Sequence, residues 1–462
     1  MYDRVSDLAF GVLPKRDFVE TGPSHRRTDN RFRAVAHVVL FFFAMNPSVL
    51  LMGERGAGSG NNGLGAETSP LFYLFAIACY GLAAIGILLR LNFSLLPLLR
   101  AAPIWLIVGY AFASVLWSID PNHSLSRATG FLGTTLAAAL IATFPRAAQL
   151  RILAVTFGVV LLASLLFVAI MPDLAVSTYR GETTARGIYV HKNIYGWAAS
   201  LFTLTILGAW RARAIGTIRA VPFIAAGVLG VWLSQSASSI CALVVGSVVM
   251  MVLSLLRRAG KARSFLSGMA ISAIAGIGTL SGLLLPWILK LFDKTPTLSG
   301  RTRLWSALEP AMAERFIGGW GFGGALWQSH RGQDFLEYEF FAGNAQGGYV
   351  ENQINLGLIG STFFYGAVMW VIIGLFRRSN FGDLYARTML VVLVAMLLLG
   401  IVAPIFMPAN QAFWILLAIP MFDCFGPLRA PRVPKPAREA TPLACYFAPL
   451  HRLAPRSPSA RA

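Results

Sequence analysis

Long apolar runs alternate with short polar connections along most of this chain. A helix needs roughly 20 apolar residues to cross a bilayer, and these runs are continuous rather than alternating, which favours helices over barrel strands. The pattern predicts an all-α, polytopic membrane protein with about 12 transmembrane helices. The predicted spans are about 34–52, 70–89, 101–118, 127–144, 152–171, 193–209, 220–234, 237–256, 265–289, 356–375, 388–406 and 410–426.

Composition supports the membrane class. The chain is 56% hydrophobic and 13% charged, and its mean hydropathy is +0.64. The net charge of +19 does not indicate a nucleic-acid partner, because the basic residues lie in short clusters between the apolar runs. The four cysteines show neither a disulfide framework nor metal-ligand spacing. They are Cys79, Cys241, Cys424 and Cys445.

The distribution of basic residues predicts the orientation. With the N terminus inside, 28 of the 39 Lys and Arg fall on the inner side, as the positive-inside rule expects. Residues 1–33 then form a basic cytoplasmic segment, and the first apolar run is an uncleaved signal anchor. The membrane domain spans 34–426, with a long periplasmic loop at 290–355. A basic, Pro-rich cytoplasmic tail covers 427–462.

The long loop contains a polar, glycine-rich stretch, residues 297–324. Apolar residues there recur near helical spacing, namely Leu304, Trp305, Leu308, Met312 and Phe316. Pro310 within the pattern predicts a kink or two short helices. Arg301 at the helix start could meet an anion beside free backbone amides, although a plain amphipathic packing helix explains the pattern as well. The glycines at 318–324 predict close backbone approach or a tight turn.

A second polar loop, residues 172–192, places several ionisable residues just before the sixth span: Arg180, Glu182, Arg186, His191 and Lys192, with Asn193 following. Such groups are costly at a membrane boundary unless they are paired or bind something. Arg186 and Lys192 could neutralise a phosphate-bearing ligand. Alternatively, Lys192 simply reaches toward the interface.

A third stretch, residues 342–360, leads into the tenth span. Glu351 and Asn352 lie at its entrance, where a carboxylate could act as a base or bind sugar hydroxyls, or serve only as a helix cap. No pair of carboxylates, metal-ligand cluster or Ser-His-Asp arrangement stands out, so the sequence predicts neither a metal site nor a cofactor.

The order of short motifs resembles the O-antigen ligase and exopolysaccharide polymerase family. The match covers roughly residues 115–372, and the His191-Lys192-Asn193 form is closer to the exopolysaccharide polymerases. The motifs are Trp117-Ser118, Arg127, Arg186-Gly187, His191-Lys192-Asn193, Gly196, Leu233-Ser234-Gln235-Ser236, Leu298-Ser299-Gly300-Arg301-Thr302, Gly319-Trp320-Gly321-Phe322-Gly323, Tyr349 and Leu356-Gly357-Leu358-Ile359-Gly360.

The resemblance implies a glycosyltransferase at the periplasmic face of a bacterial inner membrane, working without metal or nucleotide sugar. Its donor would be a glycan on undecaprenyl diphosphate, and its acceptor another lipid-linked glycan or the lipid A core. Membrane lipids and the polysaccharide export machinery would be further partners. Arg186 and Arg301 would bind the diphosphate, and the implied substrate-binding residues are Arg127, Glu182, Lys192, Asn193, Arg303, Gln346 and Tyr349.

One position departs from the family pattern. Many members have a His-Asn pair shortly before the tenth span, where this chain has Gln346 and Gly347. Glutamine can orient a hydroxyl but cannot take its proton. Either Glu351 or His191 serves as the general base, or the family histidine only positions ligands, or this chain differs in activity.

The sequence therefore predicts a polymerase of exopolysaccharide or O-antigen repeat units. An O-antigen ligase with the same fold is the first alternative. A lipid-linked glycan transporter or flippase is an alternative of another class. A transporter would have ionisable residues deep within its spans, together with inverted repeats. In this chain the ionisable residues gather in the outer loops.

Overall fold

The computed structural model describes residues 23–46, 48–52, 70–90, 98, 101–179, 182–258, 301–335, 343–380 and 382–425. These ranges contain mainly α-helices. In chain order they are α1 Pro23–Ala44, α2 Val49–Met52, α3 Pro70–Leu88, α4 Ala102–Ala113, α5 Pro121–Ala142, α6 Arg146–Ile170, α7 Pro172–Ala175, α8 Lys192–Arg211, α9 Thr217–Ser234, α10 Ala237–Arg258, α11 Arg301–Glu314, α12 His330–Phe335, α13 Gly348–Asn380, α14 Leu384–Gly400 and α15 Ala412–Phe425.

The remaining regular elements are short. Strands β1 Val176–Tyr179 and β2 Glu182–Ala185 form an antiparallel pair, and 3₁₀ turns cover Ser114–Leu116 and Ala325–Gln328. The ninth predicted span and the predicted tail at 427–462 lie outside the described residues.

Six described helices are long and apolar enough to cross a membrane. They are α3, α5, α6, α9, α10 and α13, and the segments Ala102–Leu116, Leu384–Gly400 and Ala412–Cys424 are shorter apolar helices. The structure therefore supports the all-α, polytopic class. The number of twelve spans stays a prediction.

Several helices begin earlier than the apolar runs suggested, because polar residues cap them. The Oδ1 of Asp120 accepts a hydrogen bond from the amide of His123 at 3.0 Å, and Pro121 follows in the first turn. Asp with Pro next to it is a strong helix-start signal, so α5 begins at Pro121 rather than near residue 127. Asp383 caps α14 in the same way, accepting from the amide of Ala386 at 3.1 Å.

Helix α8 lies at the centre of the bundle and packs against α6, α9, α10 and α14. The rings of Phe157 on α6 and Phe202 on α8 stack with their centroids 3.8 Å apart. A side chain at Gly227 would collide with Thr203, and one at Gly208 with Thr388. Small residues thus let helix backbones approach closely, as is typical of helix contacts in membranes.

Charged side chains pair at one end of the bundle, here called the ion-pair end. Arg146 lies 3.2 Å from Asp383 and 3.1 Å from Asp423. Arg378 contacts the same two carboxylates, and Arg90 pairs with Asp29 at 3.1 Å. The positive-inside pattern assigned these arginines to inner segments, and the structure places them together at one end.

The opposite end, here called the loop end, carries a second, small hydrophobic core. It is formed by Leu304, Leu308, Ala311, Trp320, Leu326, Ala345 and Ile354. Leu304 and Leu308 of the predicted apolar face lie in this core together with Ala311, which confirms the amphipathic helix, whereas Phe316 lies beyond α11 and is exposed. However, α11 runs continuously from Arg301 to Glu314 through Pro310, so the alternative of two short helices was wrong, whereas the kink stays a prediction. Both Ser306 and Pro310 are exposed, which leaves the carbonyl freed by proline open to solvent.

Candidate functional site at the loop end

Arg186 is positioned by the β-hairpin that precedes it. The strands pair from Val176 with Ala185 to Tyr179 with Glu182, and this pairing returns the chain to the end of α7. There the amide of Arg186 donates to the carbonyl of Ala175 at 2.8 Å, and its Nε donates to the carbonyl of Leu174 at 2.7 Å. The guanidinium is thus held in one orientation, and the residue is only 9% exposed.

A tight turn joins Arg186 to helix α8. Gly187 has a φ of +55°, and a side chain there would press against Ser164 and Tyr195. The hydroxyl of Tyr189 donates to the carbonyl of Ala44 at 2.7 Å. The turn is therefore fastened to the end of α1, and it delivers His191 to the first position before α8.

His191 caps the N terminus of α8 through one ring nitrogen. Its Nδ1 accepts a hydrogen bond from the amide of Asn193 at 3.1 Å. Burial, together with the positive charges of Lys192, Arg186 and Arg301, lowers the pKa of His191 to about 4. The ring is therefore neutral at ordinary pH, and in a neutral imidazole only one nitrogen carries a proton.

The charges that act on His191 come from distant parts of the sequence. Arg186 precedes α8 and Lys192 is its first residue, whereas Arg301 lies more than a hundred residues further along, at the first position of α11. The structure thus brings together the two arginines that the sequence analysis assigned to a diphosphate. Lys192 and Asn193, in the first turn of α8, are partly exposed beside them.

Arg301 is held by the docking of α11. One turn further along, the Nε1 of Trp305 donates to the carbonyl of Ala345 at 2.8 Å. The Nε of Arg301 is buried and has no hydrogen-bond partner within the described part of the chain, and burial lowers the pKa of this arginine. Arg303 lies on another face of the helix and is exposed.

The glycine-rich segment 316–324 fills a break in helix α13. Gly357 has a φ of +61° and interrupts the helical backbone. The freed groups pair with the segment: the amide of Trp320 donates to the carbonyl of Ile354 at 2.8 Å, and the amide of Leu358 donates to the carbonyl of Phe316 at 2.8 Å. Irregular backbone in a membrane protein requires such internal partners. The predicted close backbone approach of the glycines is confirmed.

The same segment packs against the start of α5. A side chain at Gly323 would collide with Cβ and Cγ of Arg127, and the Nε of Arg127 lies 3.4 Å from the Nε2 of His123. Arg127 therefore lies beside the glycine-rich segment.

Glu351 joins three elements through its carboxylate. Oε1 accepts from the Nε1 of Trp327 and the Nδ2 of Asn355, both at 3.1 Å. Oε2 accepts from the amide of Ala345 at 2.7 Å. The residue is 8% exposed. All three hydrogen bonds are made inside the protein. Glu351 is therefore better suited to a structural role at the loop end than to contact with solvent or substrate.

Two other predicted residues, Gln346 and Tyr349, lie just before and at the start of helix α13. The hydroxyl of Tyr349 donates to the carbonyl of Leu397 at 3.1 Å, and its ring stacks on Tyr365. Gln346 has a φ of +50°, a left-handed conformation that is uncommon for a non-glycine residue. Glu182 is the first residue of β2. Helix α13 begins at Gly348, so the predicted long loop ends earlier than residue 355.

Asn344 is a residue that the sequence analysis missed. It is 1% exposed, and its Oδ1 accepts from the amide of Gln346 at 2.8 Å. Its Nδ2 has no hydrogen-bond partner within the described residues. The only sequence signal is an Asn two residues before another polar residue in a loop, a pattern typical of any Asx turn.

Within the ranges that the structure describes, no group of three His, Cys, Asp or Glu side chains could hold a metal ion. The site instead consists of cationic side chains, the neutral ring of His191 and backbone amides.

These features define a helical, polytopic membrane protein with a cationic site at one end of its bundle. No family model matches the chain. The chain is similar to the exopolysaccharide production protein ExoQ of Rhizobium meliloti (strain 1021), with 26% identity over 298 residues. The match covers 60% of this chain and 66% of the relative, slightly less than two thirds of its length. The chain thus resembles a protein of exopolysaccharide production, in agreement with the similarity that the motif order indicated.

Proposed function

We propose that this protein polymerises exopolysaccharide repeat units carried on undecaprenyl diphosphate. The observation that carries the proposal is the convergence of Arg186, Lys192 and Arg301 on one imidazole at the loop end. The similarity to a protein of exopolysaccharide production supports the same reaction class. The site would face the periplasm, with the protein in the inner membrane.

In the proposed reaction, a hydroxyl oxygen of one lipid-linked glycan attacks the anomeric carbon of a second. The bond from that carbon to the phosphate oxygen breaks, the new glycosidic bond forms, and undecaprenyl diphosphate leaves with its electron pair. The acceptor hydroxyl loses its proton. Negative charge therefore grows on the leaving diphosphate, and fixed guanidinium groups stabilise it more in the transition state than in the ground state.

Arg186 and Arg301 are suited to this task because their positions are set before substrate binds. The Nε–H of Arg186 is tied to Leu174, and α11 is tied to Ala345 through Trp305. The first amides of α11 add partial positive charge at the same place. Preorganised donors of this kind lower a barrier without reorganisation during the reaction.

Both candidate bases, Glu351 and His191, are already engaged in hydrogen bonds. Three donors already occupy the carboxylate of Glu351, and Nδ1 of His191 is engaged in the helix cap. Gln346 stands where many family members have histidine. This geometry supports a reaction driven mainly by stabilisation of the leaving group, with water or the substrate taking the proton.

The remaining candidates would bind the rest of the substrate. Lys192 and Asn193 are partly exposed next to the arginines and would contact the glycan nearest the diphosphate. Arg127, Glu182, Arg303, Gln346 and Tyr349 are further proposed glycan-binding residues, of which Arg127 and Tyr349 belong to the motifs that resemble the family.

Reconstitution in lipid nanodiscs tests the proposal. The purified protein receives a lipid-linked repeat unit, with and without lipid A core, and the products are separated by size. A ladder of longer lipid-linked glycans without core is expected. Product that forms only with core would identify a ligase. Substrate movement across sealed vesicles without any product would identify a transporter.

A further inference from the structure

The two ring nitrogens of His191 have different hydrogen-bonding roles. Nδ1 accepts the amide hydrogen of Asn193, and a nitrogen that accepts a hydrogen bond carries no proton of its own. The ring is neutral, so its one proton lies on Nε2. Nε2 makes no hydrogen bond within the described part of the chain. The helix cap thereby fixes the tautomer and presents Nε2–H as a donor.

We propose that the Nε2–H of His191 donates a hydrogen bond to an oxygen of the phosphate group that Arg186 and Arg301 bind, and that His191 is not the general base. This assignment rests on the proposed function. A base needs a lone pair that reaches the acceptor hydroxyl, and the lone pair of this ring points at the first turn of its own helix. Using it would uncap α8.

The chemistry of the ligand follows from the surroundings of the ring. Within the described residues, the charges that act on it belong to Lys192, Arg186 and Arg301, and all are positive. A neutral donor among three cations suits a ligand with several acceptor oxygens and negative charge. A diphosphate meets both conditions, whereas a sugar hydroxyl is uncharged and is itself a donor. The same chemistry occurs in a phospholipid head group and in free pyrophosphate.

The tautomer can be measured without any substrate. Nitrogen NMR of histidine-labelled protein in nanodiscs distinguishes protonated from unprotonated ring nitrogens, and His191→Ser identifies the signal by its loss. We expect Nδ1 unprotonated and Nε2 protonated at pH 7. A proton on Nδ1, or a cationic ring, overturns the proposal whatever the protein's activity.

Binding measurements on two variants of His191 distinguish its role as a hydrogen-bond donor from its role as the cap of helix α8. His191→Ser keeps a hydroxyl that can cap α8 but has no donor at the position of Nε2, whereas His191→Ala loses both. Asp120→Ala removes the cap of α5 at the same end and serves as the control. We expect His191→Ser to weaken undecaprenyl diphosphate binding about tenfold or more while its melting temperature stays near that of the wild type. Asp120→Ala should lower the melting temperature and leave the affinity unchanged.

Other outcomes contradict the assignment. Unchanged affinity in His191→Ser, with loss of stability in His191→Ala, would make the ring a cap only. Unchanged affinity with lost turnover, together with loss of the acidic limb of the pH–rate profile, would make it the base. If wild-type protein polymerises glycan in either case, the proposed function stands while this inference fails.

Competing ligands identify the source of the phosphate group. Undecaprenyl diphosphate, inorganic pyrophosphate and phosphatidylglycerol are compared on wild-type protein and on His191→Ser. A loss confined to the diphosphates supports the proposal. A loss confined to phosphatidylglycerol overturns it, because the ring would then contact a bulk membrane lipid. Failure of the wild type to bind undecaprenyl diphosphate at all would instead count against the proposed function.

Discussion

An arginine in a membrane protein can remain solvated at the interface or can bind an anionic ligand. The environment of its side chain distinguishes these two roles. A basic side chain at the end of a span can reach to the interface and remain solvated. Arg186 is instead 9% exposed and tied through Nε to a backbone carbonyl, and the Nε of Arg301 is buried. Holding two cations in buried positions near each other is costly. That cost is consistent with an anionic ligand that offsets it.

Arg301→Lys tests the guanidinium itself. Lysine keeps the charge but lacks the planar fork that can bind two oxygens of a phosphate. We expect polymerisation to fall at least about tenfold with membrane insertion intact, as measured by glycan synthesis in a deletion strain and by reconstitution. Arg331→Lys, at an exposed arginine paired with Glu314, is the matched control and should retain activity. Full glycan synthesis from Arg301→Lys would refute the role.

The neutral state of His191 also predicts a pH dependence of stability. Its pKa is about 4 in the folded protein and 6.5 without the fold. Between these values the unfolded chain binds a proton that the folded chain does not, so stability falls as the pH falls from about 6.5 to 4. The contribution is at most about 3 kcal/mol. Melting curves of His191→Ser should show a weaker decline over this range, and parallel curves for the two proteins would contradict the assignment.

At the scale of elements, a broken helix organises the loop end. Helix α13 carries a left-handed residue at Gly357, and the segment 316–324 supplies the partners for the interrupted backbone. The segment is itself held by Tyr110 and Trp117, whose side chains donate to carbonyls of Leu356 and Gly318 at 3.0 Å. This arrangement links α4, α5, α11 and α13 into one rigid support.

Gly357→Ala tests this support. An added Cβ would lie 2.3 Å from the carbonyl oxygen of Ile317, and the backbone conformation disfavours any L side chain. We expect a loss of about 2–4 kcal/mol in stability, together with loss of activity. Gly366→Ala in the same helix is the control, since nothing lies within 4 Å of its added Cβ and alanine favours a helix by about 0.5–1 kcal/mol. Similar melting temperatures for the two variants would argue against the broken-helix support.

Glu351→Gln distinguishes a fastening role from a catalytic one. Glutamine keeps one acceptor oxygen and turns an N–H₂ group toward a donor, so at least one of three hydrogen bonds is lost. We expect about 1–3 kcal/mol of destabilisation and partial activity in the protein that remains folded. Glu314→Gln, at an exposed ion pair, should change stability by less than about 1 kcal/mol. Abolished turnover with an unchanged melting temperature would restore Glu351 as the general base.

The whole molecule has two chemically different ends. Arginine–aspartate pairs gather at the ion-pair end, and the loop end carries the cationic site and the second hydrophobic core. Arg90, Arg146 and Arg378, which the positive-inside pattern assigned to inner segments, all lie at the first end. If these basic residues lie on the cytoplasmic side, as the positive-inside rule expects, the candidate site faces the periplasm.

Cysteine labelling tests this orientation. In a variant without the four natural cysteines, Asn122→Cys marks the exposed start of α5 at the loop end, and Arg219→Cys marks the exposed start of α9 at the other end. We expect an impermeant maleimide to label the first variant in intact spheroplasts and the second only after permeabilisation. The reverse result would place the proposed site in the cytoplasm and exclude a periplasmic polymerase.

The sequence by itself determined the class of this protein and many of its local elements. Apolar runs near bilayer length specify helices because the hydrophobic effect and backbone satisfaction act locally, and the spacing of Leu304 and Leu308 indicated the buried face of α11. The motif order indicated the similarity to a protein of exopolysaccharide production. Capping residues such as Asp120 carried boundary information that the apolar runs alone did not.

Only the tertiary structure decided which distant residues meet. The convergence of Arg186 and Arg301 on His191, the pairing of segment 316–324 with the break at Gly357, and the three donors on Glu351 all join residues from different elements. No local pattern encodes such contacts, because they depend on how helices pack and on which polar groups need partners once buried. For the same reason, the tautomer of His191 follows from the three-dimensional cap and not from its place in a motif.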